Sequence, residues 1–325
     1  MLKFGTKRDY DEAREIVYEG LQPTLQHAWP VLAAELGCEV WVKHENHTPL
    51  GAFKVRGGLV HMRRRVARGQ TNGVITASTG NHGQSIPYAA KREGVPSAVV
   101  VPENNSKEKN AAMRALGTEL IETGHDFTAS KAAAERIAEE RGLDMVASFQ
   151  EDLVQGVSTY AQELFQAAGE LDAVYVPIGL GSGICGTMAA RDLLGLKTQV
   201  IGVVSERANA YHLSFEAGKP VGTNAADSFA EGMSVREPNQ AAVSAINEGA
   251  ERVVEVREDT IAEAMRLLFR ATHNIAEGAG AGALAALMQE RDQMAGKRVG
   301  VILSGGNIDA ERFAKVLGGE TPVVG

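Results

Sequence analysis

Apolar residues fall along this chain in two alternating patterns. Short runs rich in Val, Ile and Ala occupy residues 39–43, 73–77, 97–101, 173–178, 199–204 and 298–303. They are mostly continuous rather than alternating, as expected of strands buried on both faces of a parallel sheet. Longer amphipathic segments lie between them. Residues 130–141 are rich in Ala, Glu and Arg, and within 260–272 the side chains of Ile261, Met265, Leu268 and Phe269 share one helical face. The alternation predicts an α/β fold. No linker, internal repeat or low-complexity tract marks a domain boundary.

Composition narrows the picture. At roughly 100–200 residues per domain, 325 residues suggest two domains, and 44% hydrophobic residues suffice for a packed core. A net charge of −8 argues against nucleic acid or an anionic membrane as partner. Cys38 and Cys185 form no CxxC pair, which excludes a disulfide framework and a thiolate zinc site and points to a reducing compartment, the cytoplasm by default. The first residues lack an apolar stretch of the signal-peptide kind, and no apolar run approaches the roughly 18–20 residues of a membrane span. Neither export nor insertion is expected. The 36 glycines, against 5% aromatics, imply many sites where backbone turns tightly or approaches a ligand.

Four clusters carry candidate chemistry. The first is Gly51-Ala-Phe53-Lys54-Val-Arg56-Gly-Gly58, a loop after a strand that opens a helix running into Arg63-Arg64-Arg65. A lysine held against an aromatic ring at such a junction is desolvated and available for Schiff-base chemistry, whereas an isolated lysine faces solvent. The arginine run reads as a solvated helix face, and His44 and His47 as structural. The second cluster, Ser78-Thr79-Gly80-Asn81-His82-Gly83, sets backbone amides and two hydroxyls at a helix N-terminus, suited to a carboxylate or to simple capping. The third, Gly179-Leu180-Gly181-Ser182-Gly183-Ile-Cys-Gly186, can cradle a phosphate. It also matches GxGxxG with Glu206 downstream, which leaves an NAD-binding oxidoreductase open. The fourth is Ser304-Gly-Gly306-Asn307 after the last strand, with Glu277-Gly-Ala-Gly-Ala-Gly282 upstream. Ser304 is a ligand partner or a turn cap, and the glycines have a packing role in either case.

In this order and together with Pro23-Thr24-Leu25, Pro102-Glu103, Lys107, Ala115-Leu116-Gly117 and Phe229-Ala-Glu231-Gly232-Met233, the clusters resemble the fold type II pyridoxal-phosphate enzymes of the serine/threonine dehydratase and serine racemase group. The resemblance implies the tryptophan synthase β-like architecture, two open twisted mostly parallel sheets flanked by helices. It also implies a large cofactor domain over 1–68 and 147–325 and a small mobile domain over 69–146. By the same resemblance Lys54 carries the cofactor, with Phe53 beside its ring and Asn81 at its phenolic oxygen. Gly179, Leu180, Gly181, Ser182 and Gly183 hold its phosphate, and Ser304 meets its pyridine nitrogen. Ser78, Thr79, Gly80, Asn81 and His82 take the substrate carboxylate. The implied activity converts a β-hydroxy amino acid, L-threonine or L-serine first, to a 2-oxo acid and ammonia. Alternatives are 3-hydroxyaspartate dehydration, serine racemisation, β-replacement, or binding without turnover. A homodimer is expected.

The departures carry expectations of their own. Ala52 stands where the group commonly has Ser, and the phosphate loop is not a run of four glycines. Thr79 replaces the serine that serves racemases as the second acid/base, so racemisation is not expected. Residues 203–210 lack paired acids, so no metal is expected there. The chain stops about twenty residues after Ser304, and no C-terminal regulatory domain or isoleucine feedback is expected.

Overall fold

The computed structural model describes residues 2–323. Ten strands form two sheets among the described residues. The larger contains β1 (Gln26–Ala28), β2 (Glu39–His44), β7 (Ala173–Pro177), β8 (Gln199–Ser205), β9 (Arg252–Val256) and β10 (Arg298–Leu303), in the order β1-β2-β10-β7-β8-β9. Every pairing is parallel except the edge pair of β1 with β2. The smaller contains β3 (Val74–Ala77), β4 (Ser97–Val101), β5 (Glu119–Glu122) and β6 (Asp144–Met145), all parallel, in the order β5-β4-β3-β6.

The helices preceding residue 150 are α1 (Lys7–Gly20), α2 (Pro30–Leu36), α3 (Lys54–Ala67), α4 (Asn81–Arg92), α5 (Lys107–Ala115) and α6 (Phe127–Arg141). Those following it are α7 (Glu151–Ala168), α8 (Ser182–Leu193), α9 (Ala210–Ala217), α10 (Gln240–Gly249), α11 (Glu258–Thr272), α12 (Gly278–Gln289) and α13 (Ala310–Leu317). None of them is long and apolar enough to cross a membrane. The continuous apolar runs have become strands whose side chains are buried on both faces, such as Val40, Val42, Val174, Val176, Val299 and Val301. Covering both faces of a parallel sheet with helices is what removes them from water.

Two helices set the geometry of the site. α3 and α7 cross at glycine: a Cβ on Gly156 would lie 2.5 Å from Arg56 O, and one on Gly57 would lie 2.8 Å from Leu153 O. The backbones touch because neither position carries a side chain. Beneath this crossing Arg56 is fully buried, bonded to Glu45 at 2.7 Å and to Glu163 at 2.5 Å, and Glu163 also pairs with the buried Lys43. Burial works against the Arg56 charge, but the two carboxylates outweigh it and hold the guanidinium ionised.

The arginine run corrects the expectation of a solvated face. Arg63 lies at the surface, whereas Arg64 and Arg65 are buried. Arg64 reaches Asp152 at 2.8 Å and Glu12 at 3.0 Å, and Arg65 pairs with Asp144. Acids from α1, α7 and β6 close over α3, so the basic residues cement elements to one another. Phe269 departs in the other direction and is 38% exposed while Ile261, Met265 and Leu268 are buried.

Candidate active site

The loop ahead of Lys54 is stitched to the end of β10. Thr48 Oγ1 accepts from Ala52 N at 3.0 Å and donates to Ala52 O at 2.8 Å. Ala52 bridges to Gly305, Phe53 N donates to Ser304 O at 3.0 Å, and Gly306 N donates to Gly51 O at 2.9 Å. The half-buried Lys54 then opens α3. Its Nζ lies 5.0 Å from the Phe53 ring centroid and donates to Ser182 Oγ at 3.0 Å. Desolvation lowers this amine to about 8, which enlarges the neutral, nucleophilic fraction near physiological pH. Phe53 stands edge-on to Tyr160, with 5.9 Å between centroids.

Ser182 is the first residue of α8, and the loop before it follows β7 directly. Gly181 has φ +101°, a conformation that side chains rarely adopt. A Cβ on Gly179 would collide with the Gly232 carbonyl oxygen, so backbone alone fits there. The opening amides of α8 have no intrahelical acceptor and sit at the positive end of the helix, a ready anion site beside the lysine. Tyr160 Oη donates to Gly183 O at 2.9 Å and fixes the first turn.

The Ser78–His82 segment links β3 to α4. Ser78 Oγ accepts from Gly80 N at 3.3 Å and Gly83 N at 3.0 Å, so its acceptor capacity is spent on capping while its proton remains available. Thr79 and Gly80 are half-buried. Asn81 Nδ2 donates to Glu277 Oε1 at 2.7 Å, and Asn81 Oδ1 accepts from Asn307 Nδ2 at 2.8 Å. Asn307 Nδ2 also donates to Leu50 O at 2.7 Å, closing the ring of contacts back to the lysine loop. His82 is buried, its Nε2 has no partner among the described residues, and burial together with the nearby Lys54 charge lowers it to about 3. It is a neutral imidazole.

Lys54 thus meets Ser182, Phe53 meets the Ser304 backbone, and Asn81 is tied through Asn307 to the lysine loop, around the ends of β3, β7 and β10 and the start of α3, whereas Arg64 and Arg65 bind other elements and Glu206 is exposed. Glu277 and Asn307 of the fourth cluster gain partners that the sequence did not assign, and Tyr160 was not singled out at all. Glu277, pushed up to about 7 by burial, anchors Asn81. Its signal was a carboxylate ahead of Gly278-Ala-Gly280, which reads equally as helix packing. Asn307 and Tyr160 have no local signature, because their partners lie far off in sequence.

The sequence model of the family described as pyridoxal-phosphate dependent enzyme matches residues 17–305. The L-threonine ammonia-lyase of Geobacter sulfurreducens is 37% identical over 285 residues, spanning 87% of this chain and 71% of that protein. The phenylserine dehydratase of Ralstonia pickettii is 38% identical over 270 residues, 82% of each chain. The structure of processed threonine deaminase isoform 2 from Solanum lycopersicum superposes with a TM-score of 0.89 at 26% identity, covering 99% of this chain and 96% of that one.

The residues present fit that cofactor. It needs an amine free to form a Schiff base, an anion cradle and polar groups around a ring. Here Lys54, the glycine-backed N-terminus of α8, and Asn81 with Ser304 supply them. Glu206, which a dinucleotide reading requires, is exposed beyond the end of β8. The chain belongs to the pyridoxal-phosphate-dependent enzyme family, in its fold type II architecture.

Proposed function

We propose that this enzyme is an ammonia-lyase that dehydrates and deaminates a β-hydroxy amino acid, L-threonine or L-serine. The observation that carries the reading is the lysine itself: a desolvated amine on a rigid helix start, 3.0 Å from the first residue of the anion-binding helix. When bound, pyridoxal phosphate supplies an electron sink for the pair left behind as the α-proton departs. Lys54 Nζ would hold the cofactor and, as a free amine, would take that α-proton. Gly179 to Gly183 bind the phosphate. Asn81 orients the phenolic oxygen, and Phe53 packs beside the ring. Ser78, Thr79, Gly80, Asn81 and His82 bind the substrate carboxylate at the start of α4, where amides and dipole favour an anion.

Ser304 meets the pyridine nitrogen with a neutral hydroxyl. Unlike a carboxylate, that hydroxyl would not favour a protonated ring, which suits elimination of the β-hydroxyl. Water leaves across the Cα–Cβ bond, and hydrolysis of the resulting enamine gives the 2-oxo acid and ammonia. The chain works as two bodies, residues 1–68 with 147–325 and residues 69–146, the second opening and closing over the substrate. We also infer a homodimer in the cytoplasm. The free, buried Cys38 and Cys185 suit a reducing compartment, and Leu25, Val31 and Ile275 leave large apolar surface exposed.

The test is the visible spectrum of the purified protein before and after L-threonine, with 2-oxobutanoate and ammonia assayed in the same sample. A cofactor band that responds to threonine, with both products formed in equal amounts, is expected. A responsive band with no product from threonine or serine would overturn the reading.

A further inference from the structure

Tyr211, in the first turn of α9, is 2% exposed. Its hydroxyl reaches away from α9 and donates to Leu180 O at 2.9 Å. The same oxygen accepts from Asn239 N at 3.1 Å, and Asn239 caps α10 through its side chain. α10 presses on the loop as well, since a Cβ on Gly181 would lie 2.7 Å from Ala242 Cβ. One phenol thus ties the middle of the Gly179–Gly183 loop to α9 and α10, neither of which contributes a residue to the site described above.

The consequence follows from peptide geometry. The chain has no cis peptide bonds among the described residues, and in a trans peptide the C=O and the following N–H point in opposite directions. Holding the Leu180 carbonyl toward Tyr211 turns the Gly181 N–H the other way, away from Tyr211. At φ +101° Gly181 has no side chain to fix its own orientation, so the peptide plane is set from outside. Burial pushes the phenol above its ordinary range, so the hydroxyl keeps the proton that it donates.

We propose that Tyr211 is a positioning residue for the cofactor's phosphate, acting by presenting the Gly181 amide. The inference rests on the reading of Gly179–Gly183 as the phosphate cradle. It is tested by titrating the apoprotein with pyridoxal 5'-phosphate and, separately, with pyridoxal, which lacks the phosphate. In Tyr211→Phe, affinity for the phosphorylated ligand is expected to fall by about tenfold, the equivalent of one buried hydrogen bond, with pyridoxal affinity unaltered. The ³¹P resonance of the bound cofactor is expected to shift. Asn239→Ala removes the cap on α10 but keeps the amide that Tyr211 accepts, and is expected to leave the ratio of the two affinities at its wild-type value.

An unchanged affinity for the phosphorylated ligand in Y211F, an equal loss for both ligands, or an equal change of the ratio in N239A would overturn the assignment. A wild-type protein that binds the two ligands equally would instead remove the cradle reading itself. Wild-type discrimination that persists undiminished in Y211F removes Tyr211 alone.

Discussion

In the proposed reaction a single amine dominates the chemistry, and its environment makes its behaviour quantitative. Removing it in Lys54→Ala should abolish the covalent cofactor band and lower turnover by at least about a thousandfold, read by absorbance and product assay. Because desolvation brings Lys54 down to about 8, the rate at which apoprotein captures added cofactor should rise with pH through a midpoint near that value, followed by stopped-flow absorbance. Glu277 shifts the other way, from 4.5 to about 7. Between those values the folded protein holds a proton that the unfolded chain has lost, so this group's contribution to stability falls as pH rises. Glu277→Gln is neutral throughout, and its melting temperature relative to wild type should therefore increase between about pH 5 and about pH 8. At this scale the lysine, the glycines and Asn81 were legible because each sits in a compact local motif. Glu277 and Asn307 stood in the fourth cluster without an assigned role, since their roles exist only through contacts made across 196 and 226 residues of sequence.

Elements place those residues through contacts that tolerate little change. Gly156→Ala would push a methyl into Arg56 O and should cost about 1–3 kcal/mol in denaturant unfolding, by separating α7 from the helix that carries the lysine. Replacing Arg56 by Met would strand Glu45 and part of Glu163 without a counter-charge in the interior. A loss of about 3–5 kcal/mol in the same measurement is expected. The six apolar runs announced their strands, two of them (97–101 and 298–303) at both ends and the other four to within one residue at one end. β1, β5, β6 and β9 did not, for a physical reason: β6 has two residues, β1 has three with none buried, and β5 and β9 are flanked by charged side chains. Pairing with a neighbour makes these strands, and a lone sequence window does not contain that neighbour. The start of α6 fell three residues early for a similar reason, since Asp126 caps it by accepting from Ala129 N at 2.8 Å.

Across the whole molecule, α3 packs on α4 and β3 through apolar side chains, and polar contacts at the start of α5 add to that junction. Ser106 Oγ donates to Asp309 Oδ1 at 2.5 Å, Glu108 Oε1 accepts from Ala310 N at 3.1 Å, and Lys109 pairs with Glu231. Charged contacts of this kind break and reform at low cost, which suits the proposed closing of residues 69–146. Lys109→Ala should accordingly speed hydrogen exchange in residues 69–146 and raise KM for the amino acid, the effect shrinking at high salt. The stitch between the lysine loop and the end of β10 bears on how the enzyme is made. Lys54 is translated before the backbone that fixes its loop, Ser304 to Gly306, and β10 itself inserts between β2 and β7. A nascent chain halted before β10 has the lysine and the phosphate loop but neither the central strand that brings them together nor the groups that lock them. On the proposed role of Lys54, a complete cofactor site therefore exists only once β10 has been made and inserted.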